Sequence, residues 1–340
     1  MDFVPESEFR VTSSTQTPTT NPDTTSENRA DIAELRRVAV LLAETAAAHV
    51  RERRPQVFGP GASQPDAVQS KSTPTDPVTI VDTETEQLIR KLLAEIRPGD
   101  LVVGEEDGGS LADDPDTVHW VVDPIDGTVN FVYGIPAYSV SVAAVRGGRS
   151  VAGAVADVAH GVTYSAGLGQ GAHRTVGTDA PGAVGPDAVG TGEPSVATDP
   201  DRTEAADSLI PLRCNEVDSV GMALVATGFA YGTARRTRQG ELVAQVLPHV
   251  RDIRRIGSAA LDLCMVAEGR VDAHYEHGLN LWDWAAGALI AAEAGARVIL
   301  PAPGTTGAAG ELVMAAAPGI GEELTGLLER IGVTTPIPNP

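Results

Sequence analysis

Apolar side chains recur at helical spacing in two segments near the start of the chain. From Asp31 they follow one face of a predicted helix that ends near Arg54, where arginines crowd the last turn. Residues 55–77 have a loop-like composition. Asp82 stands at the N-cap position of a second predicted helix, whose apolar face continues to Ile96. This part of the chain therefore predicts two packed helices joined by a loop.

The central part of the chain changes to short apolar runs that acids and glycines separate. Such runs are typical of strands buried on both faces. They predict a sheet with strands at residues 101–103, 120–122, 138–145, 151–155 and 162–166. Further along, the pattern predicts a helix, a strand and a helix over residues 258–268, 271–275 and 283–294.

Two segments are predicted to lack packed structure. Residues 1–29 are rich in Ser, Thr and Pro, which is the composition of a disordered tail; a mis-assigned start codon is the alternative. Residues 176–211 are rich in Gly, Pro, Asp and Thr and predict a long surface loop. We therefore predict one folded domain over residues 30–335, with subregions of about 30–175 and 212–335 on either side of the loop.

Composition and charge exclude several classes of protein. The chain is 42% hydrophobic but only 4% aromatic, so its core must be built from aliphatic side chains. A net charge of −21 offers no basic surface for nucleic acid or for an anionic membrane. Cys214 and Cys264 stand alone, without the spacing of a disulfide framework or zinc site. No signal peptide or transmembrane segment is indicated, and we expect a cytoplasmic protein.

Three groups of carboxylates stand at the ends of predicted elements. Residues 105–107 (Glu-Glu-Asp) follow one strand, Asp123 and Asp126 follow another, and Asp283 begins a helix. Mg²⁺ prefers hard oxygen ligands and usually retains waters and a substrate phosphate. A pair of such ions can hold both the attacking and the leaving oxygen of a phosphoryl transfer. The pattern therefore indicates metal-assisted phosphate hydrolysis.

Each group taken alone also has a simpler explanation. Residues 105–107 by themselves are typical of a solvated loop, and Asp126-Gly127-Thr128 is an ordinary turn sequence. Asp283 is equally consistent with a helix N-cap. On the functional interpretation, the amides of Gly127 and Thr128 could cradle a phosphate if a helix begins after Gly127. The order of the three groups along the chain is what favours a shared site.

Two longer segments resemble the signatures of a known family, the inositol monophosphatases, within the lithium-sensitive, magnesium-dependent phosphatase superfamily. Residues 120–131 (WVVDPIDGTVNF) resemble the first signature, and residues 281–295 (LWDWAAGALIAAEAG) resemble the second. Residues 71–82 and 257–264 agree more weakly. The resemblance covers roughly residues 32–328 and implies an α/β fold, the layered α-β-α-β-α sugar-phosphatase sandwich.

The resemblance implies that two or three Mg²⁺ ions bind in each site. The ligands of the first two ions would be four carboxylates and one backbone carbonyl, with Asp123 bridging the ions: Glu105, Asp123, Ile125 (its carbonyl), Asp126 and Asp283. A third, looser ion would lie near Glu105, with Glu106 and Asp82 in its outer shell or positioning water.

The resemblance also assigns catalytic and substrate-binding roles. Thr128, paired with Asp82, would orient and help to deprotonate the attacking water, and Glu106 joins them as a catalytic residue. The amides of Gly127 and Thr128 would bind phosphate, and Lys71 matches a lysine near the metal cluster. The implied mechanism is direct in-line attack by a metal-activated water without a phosphoenzyme. A homodimer and inhibition by lithium are implied as well.

Residues outside the metal cluster bear on the substrate. Glu276 matches a carboxylate that accepts hydrogen bonds from inositol hydroxyls, and Ala259 matches a small residue that lines the ring pocket. They favour inositol monophosphate or a similar polyol phosphate. Histidinol phosphate and fructose 1,6-bisphosphate are alternatives on the same metal site, whereas Asn130 disfavours nucleotide 3′-phosphates. A non-catalytic assembly protein is an alternative of another class, since some bacterial relatives act in RNA-synthesis complexes.

Overall fold

The computed structural model describes residues 26–59, 67–71, 73–112, 114–176 and 209–339. Its helices are α1 (Ser26–Phe58), α2 (Ile80–Ile96), α3 (Thr128–Tyr133), α4 (Thr233–Val246), α5 (Ala259–Ala267), α6 (Leu281–Glu293) and α7 (Gly321–Ile331). Its strands are β1 (Val68–Ser70), β2 (Pro77–Thr79), β3 (Leu101–Gly104), β4 (His119–Asp126), β5 (Ser139–Arg146), β6 (Arg149–Asp157), β7 (Val162–Gly167), β8 (Ala172–Val176), β9 (Ile210–Pro211), β10 (Leu224–Thr227), β11 (Asp252–Arg254), β12 (Ala273–His277), β13 (Arg297–Ile299) and β14 (Leu312–Ala316). Short 3-10 turns occur at Val220–Met222, Leu247–His249 and Gly307–Ala309.

Helix pairs and sheets alternate in five layers. The order is α1 with α2, a seven-stranded sheet, α5 with α6, a five-stranded sheet, and α4 with α7. Each interface between layers is filled with aliphatic side chains, as the low aromatic content predicts. The α/β fold and its α-β-α-β-α layering are therefore confirmed.

The seven-stranded sheet runs from β3 through β9 in chain order. Strands β3 and β4 are parallel, and every later neighbour is antiparallel. Strands β5 and β6 are buried on both faces because helices cover the sheet on both sides, which explains their nearly continuous apolar runs. Gly153 on β6 lets α6 approach closely, since a Cβ there would lie 3.0 Å from Cα of Ala286.

The five-stranded sheet has the order β11-β10-β12-β14-β13. Strand β10 pairs in parallel with β11 and β12, while β14 is antiparallel to both β12 and β13. The parallel pairing means that β10 and β12 end on the same side of the sheet.

Three apolar cores separate the layers. Leu42, Ile89 and Trp120 are fully buried between the first helix pair and the seven-stranded sheet. Leu263 and Ile290 lie in the core around α5 and α6, between the two sheets. A third core, between the five-stranded sheet and α4 with α7, is built around residues that include Met314, Leu324 and Leu328. Helices α5 and α6 are thus apolar around most of their surface because both sides contact a sheet.

The five strands predicted in the central part of the chain are confirmed as β3 to β7. The later helix, strand and helix are confirmed as α5, β12 and α6, with ends that shift by one or two residues. Helices α4 and α7 and strands β1, β2, β8 to β11, β13 and β14 were not predicted.

The predicted end of the first helix and the loop after it were wrong. Helix α1 continues through Pro55 to Phe58, and the amide of Gly59 donates to the carbonyl of Pro55 at 2.9 Å. A proline near a helix end removes only one internal hydrogen bond. Packing compensates, because Val57 is buried in the first core and the Phe58 ring meets the edge of another aromatic ring. Strands β1 and β2 then pair within the predicted loop.

Three other boundaries were also wrong. Residues 26–29 of the predicted tail form the first turn of α1, and residues 1–25 lie outside the described part of the chain. The two ends of the predicted loop 176–211 belong to strands: Val176 is the last residue of β8, and Ile210–Pro211 form β9, which pairs with β8. Residues 177–208 lie outside the described part of the chain. The N-cap of α2 is Thr79, not Asp82. Within the described ranges, no helix is long and apolar enough to cross a membrane.

Replacing Ile290 by Ala should lower the free energy of unfolding by about 2–5 kcal/mol, because the cavity between the two sheets cannot collapse fully. Ile290 is 0% exposed in α6. Urea unfolding measures the change, and Leu41→Ala is the control because Leu41 is 44% exposed. A loss below about 1 kcal/mol in Ile290→Ala would mean that this core is loosely packed.

Candidate active site

Acidic side chains from several elements gather where the two sheets and their helices meet. Strands β3 and β4 are parallel neighbours, so Glu105, just after β3, lies beside the end of β4. The amide of Glu105 donates to the carbonyl of Val122 at 3.2 Å, which continues this pairing. The first turns of α2, α5 and α6 complete the site.

A bulge at the end of β4 sets the direction of two aspartates. Asp123 pairs with Ser141 of β5, but the next pair is Asp126 with Ser139, so the register shifts between them. Bulges bend a strand and re-aim its side chains. Pro124 suits this position because it has no amide to place in the ladder. Asp123 Oδ1 accepts a hydrogen bond from the amide of Ile125 at 3.0 Å, which fixes its carboxylate.

Asp126 is held by the first turn of α5. Its Oδ2 accepts from Ser258 Oγ at 2.5 Å and from the amide of Ala260 at 2.7 Å. Ser258 is also the N-cap of α5 and accepts from the amide of Leu261 at 3.3 Å. A carboxylate at a helix N-terminus is favoured by the unpaired amides there. The first turn of α5 thus orients a carboxylate that comes from strand β4 of the seven-stranded sheet.

Asp283 occupies the third position of α6. Its Oδ2 accepts from the amide of Asn280, the N-cap residue, at 2.6 Å. The alternative that Asp283 is itself the N-cap is therefore wrong, although its carboxylate does take part in a capping box.

Asp82 has the same arrangement in α2. Its Oδ2 accepts from the amide of Thr79 at 2.9 Å and from Thr79 Oγ1 at 2.5 Å. Its Oδ1 lies 3.1 Å from Thr128 Oγ1, which is also 3.0 Å from the carbonyl oxygen of Ile125. The structure thus brings Asp82 and Thr128 into direct contact, and burial raises the pKa of Asp82 to about 6.

Lys71 joins the two glutamates of the turn after β3. Its Nζ lies 2.8 Å from Glu105 Oε1 and 2.5 Å from Glu106 Oε1. Burial raises the pKa of Glu106 to about 7 despite the Lys71 ammonium, which acts in the opposite direction. Lys71 is thus the cation that partly compensates this side of the site.

The aspartates of the site raise one another's pKa. Burial raises the pKa of Asp123 well above its usual range, and the charges of Glu105, Asp126 and Asp283 raise it further. The pKa of Asp283 is raised by burial and by Glu105 and Asp126. Burial also raises the pKa of Asp126 to about 6, although Ser258 lowers it. The site therefore carries more negative charge than its protein surroundings neutralise.

The donor atoms fit divalent cations. On Asp123, Asp126 and Asp283, one carboxylate oxygen is anchored and the other accepts no hydrogen bond from the described residues. In the described part of the chain, no group of three or more His, Cys, Asp or Glu side chains is placed so that it could hold a metal ion by itself. Mg²⁺ does not require such a cage, because it usually retains several waters and binds through few carboxylates. Hard oxygens with uncompensated charge are what such an ion needs.

Gly127 connects the aspartates to a short helix. It is the N-cap of α3, with φ +93°, a conformation that side chains rarely adopt. A Cβ there would also lie 3.0 Å from the carbonyl oxygens of Ala137 and Gly257. Thr128 is the first residue of α3, so the predicted helix start after Gly127 is present. Asn130 Nδ2 donates to the carbonyls of Ala137 and Ile256, which gives Asn130 a structural role.

The two predicted substrate residues lie on the α5 and β12 side of the site. Ala259 is the first residue of α5 and is 7% exposed. The Glu276 carboxylate packs against Gly228, where no Cβ could fit beside it. Burial raises the pKa of Glu276 to about 7, and His274 and Arg255 act in the opposite direction. The charge of Asp126 contributes to the same shift, which relates Glu276 electrostatically to the aspartates.

Sequence reasoning missed three residues that hold the aspartates in place: Thr79, Ser258 and Asn280. All three are helix N-caps, and each is Thr, Ser or Asn, the residue types that such positions favour. The spacing of three residues from Thr79 to Asp82 and from Asn280 to Asp283 is that of a capping box, which was the available indication.

Comparisons with known proteins identify the family of this chain. Residues 31–332 match the inositol monophosphatase family. The chain is 55% identical over 312 residues to the inositol-1-monophosphatase SuhB of Mycobacterium tuberculosis, covering 90% of this chain and 97% of that protein. It is 33% identical over 245 residues to the Nus factor SuhB of Pasteurella multocida, covering 71% and 79%. The solved structure of Mycobacterium tuberculosis SuhB has a TM-score of 0.67 at 50% identity, covering 88% and 97%.

The fold and the acidic site thus define a phosphomonoesterase. The chain belongs to the inositol monophosphatase family, whose members are generally metal-dependent.

Without divalent cations, the protein should lose stability as the pH rises from about 4 to about 7. Asp82, Asp126, Glu106 and Glu276 have pKa values raised to about 6 or 7 in the folded state. The folded chain therefore keeps protons that the unfolded chain has released, and the free energy of unfolding falls over that range. Urea unfolding in EDTA at several pH values measures this change.

Added Mg²⁺ should restore more stability near pH 8 than near pH 5, because ions that bind only the folded state stabilise it and the carboxylates must be ionised to bind them. NaCl of matched ionic strength is the control. A free energy of unfolding that rises steadily from pH 4 to pH 8 in EDTA would contradict the described electrostatics.

Proposed function

We propose that this phosphomonoesterase hydrolyses inositol monophosphate, or a similar polyol phosphate, in a magnesium-dependent reaction. The observation that carries the proposal is the set of three aspartates, Asp123 buried and Asp126 and Asp283 partly buried, each with one anchored oxygen and one oxygen that no described residue binds. The name of the Mycobacterium tuberculosis relative, inositol-1-monophosphatase, supports the substrate.

The metal ions would be held by the predicted ligands: Glu105, Asp123, the carbonyl of Ile125, Asp126 and Asp283. Bound Mg²⁺ would neutralise their charge, polarise the phosphate and lower the pKa of a water molecule. The charges of Glu105, Asp126 and Asp283 all raise the pKa of Asp123. The family resemblance assigns Asp123 to both ions. Lys71 would keep Glu105 and Glu106 oriented until ions bind.

Asp82 and Thr128 would act on the attacking water. Thr128 Oγ1 can donate to Asp82 Oδ1, which leaves a lone pair on Thr128 to accept a proton from water. Asp82 cannot turn away, because Thr79 holds its other oxygen through both an amide and a hydroxyl. With a pKa of about 6, Asp82 is ionised at neutral pH and can take the proton through Thr128. Water would thus attack phosphorus directly, with no phosphoenzyme. As this bond forms, the bond between phosphorus and the polyol oxygen would break, and the polyol would leave after that oxygen takes up a proton from solvent.

The substrate would lie between two parts of the site. The amides of Gly127 and Thr128 would bind the phosphate, because they begin α3 and have no partner within that helix. The polyol would extend towards Ala259 and Glu276. The Glu276 carboxylate can accept hydrogen bonds from hydroxyl groups, and the small side chain of Ala259 leaves room for a ring.

The decisive experiment compares phosphate release from inositol 1-phosphate, histidinol phosphate, fructose 1,6-bisphosphate and adenosine 3′,5′-bisphosphate, with and without Mg²⁺ and lithium. The expected result is Mg²⁺-dependent preference for inositol 1-phosphate and inhibition by lithium. Preference for another ester would overturn the substrate while keeping the metal chemistry. No release from any ester would favour the assembly-protein hypothesis instead.

Asp126→Asn and Asp283→Asn should each lower kcat more than about 100-fold while the metal-free chain remains folded. The asparagine oxygen can still accept the hydrogen bonds that anchor each side chain, so the change removes mainly charge. Phosphate release and circular dichroism measure the two effects. Asp252→Asn is the matched control, because Asp252 is 51% exposed and pairs with Arg254. Near-normal turnover in either site variant would refute its assignment as a ligand.

Glu276→Ala should raise KM for inositol 1-phosphate about 10-fold or more, since hydrogen bonds to a charged group contribute about 1.5–3 kcal/mol. Hydrolysis of p-nitrophenyl phosphate, which lacks the polyol hydroxyls, should change little. Steady-state kinetics with both substrates measures the difference. Glu216→Ala is the control, because Glu216 is exposed. An equal effect on both substrates would show that Glu276 does not recognise the polyol.

A further inference from the structure

A buried glutamate on α2 contacts the turn that carries two of the predicted site carboxylates. Glu86 is one helical turn beyond Asp82, so both side chains lie on the same face of α2. The Glu86 side chain is 0% exposed. The turn after β3, which we call the β3 turn, comprises residues 104–108. None of the roles assigned above uses Glu86.

The Glu86 carboxylate binds two consecutive amides of the β3 turn. Oε2 accepts from the amide of Glu106 at 2.8 Å, and Oε1 accepts from the amide of Asp107 at 3.1 Å. The preceding amide, that of Glu105, is held by β4. The three amides that follow Gly104 are therefore all fixed, two of them by one side chain. Since each amide precedes the Cα of its own residue, this arrangement limits where the Glu105 and Glu106 side chains can begin.

Arg90 completes the contact between α2 and the β3 turn. Its Nε donates to Glu86 Oε1 at 2.9 Å, and its second nitrogen, Nη2, donates to the carbonyl of Gly108 at 2.7 Å. The guanidinium thus neutralises the buried carboxylate and holds the far end of the turn. The amide of Gly104 also donates to the carbonyl of Gly108 at 3.0 Å, and this hydrogen bond closes the turn.

Gly104 shows how closely the carboxylate approaches the backbone. A Cβ at Gly104 would overlap the Glu86 carboxylate. Gly104 is not among the residues with positive φ, so glycine is required there by space and not by backbone conformation. Glycine at position 104 therefore leaves the space on β3 that the Glu86 carboxylate of α2 occupies.

We propose that Glu86, supported by Arg90, is a positioning residue that sets the placement of Glu105 and Glu106 and thereby the affinity for metal ions. The inference rests on the proposed magnesium site. The hydrogen bond between Gly104 and Gly108 is enough to close the β3 turn. A buried carboxylate is costly unless its charge is fully compensated, so closing the turn does not by itself explain Glu86. Groups behind metal ligands commonly orient them, and their loss costs about 10- to 100-fold in affinity or activity.

The test is Glu86→Gln, which keeps the shape of the side chain but replaces one of the two oxygens that accept from backbone amides by an NH₂ group. Isothermal titration of the metal-free chain with Mg²⁺, and with Mn²⁺ as a second probe, measures affinity without turnover. The dissociation constant should rise about 10- to 100-fold. In steady-state assays the Mg²⁺ concentration for half-maximal rate should rise similarly, while kcat at saturating Mg²⁺ changes much less.

The matched control is Glu84→Gln, the same chemical change two residues earlier on the same helix. Glu84 is 31% exposed and pairs with Arg53, away from the β3 turn. Its metal affinity should equal that of the wild type. Unfolding in EDTA is measured for both variants, because a purely structural role for Glu86 would lower stability and leave the affinity unchanged.

The possible outcomes separate this inference from the proposed function. A wild-type chain that binds neither ion would overturn both. A folded Glu86→Gln chain with wild-type affinity would overturn the positioning role alone. If Glu86→Gln does not fold, Arg90→Met decides, since Arg90 is 28% exposed and its loss leaves the two amide contacts of Glu86 in place. Affinity weakened several-fold in Arg90→Met would support the role, and wild-type affinity would overturn it.

Discussion

Hydrogen bonds from backbone amides to closely spaced carboxylates are the interaction on which the site depends. Asp123, Asp126 and Asp283 repel one another, and in water they would separate. Each is instead fixed by an amide whose position is set by a bulge or by the first turn of a helix. The five-layer fold supplies these amides, because it brings a strand end and several helix starts to one place. The remaining oxygens are thereby aimed without being neutralised.

The fold could largely be predicted from the sequence where burial is strong. Strands β4 to β7 and helices α5 and α6 are apolar because layers cover them on both sides, and their apolar runs are visible in the sequence. Strands β10, β11 and β13 have only three or four residues each and carry little pattern. Helix α7 was predictable from the spacing of Leu324, Leu327 and Leu328. The length of α1 was not, because packing beyond Pro55 outweighs the usual effect of proline.

The site could likewise be predicted only where the sequence carries a strong pattern. Its acidic residues could be named from two long motifs, and the structure brings Asp82 next to Thr128 and Lys71 next to Glu105 and Glu106. The groups that hold them could not be named in the same way, because they lie far away in sequence. Ser258 of α5 contacts Asp126 of β4, and Glu86 of α2 contacts the β3 turn. Asp82 was misplaced as an N-cap for a local reason: in a capping box, both the N-cap residue and the third residue are polar.

Two carboxylates of the site, Asp82 and Asp283, are also the third residues of α2 and α6, where each accepts a hydrogen bond from its own N-cap amide. Helix ends ordinarily fray on fast timescales without consequence for the rest of a protein. Here, opening a single turn would withdraw a charged oxygen from the centre of the molecule. Opening of either turn would therefore move a site carboxylate, and a ligand that contacted both carboxylates would slow hydrogen exchange in two helices far apart in sequence.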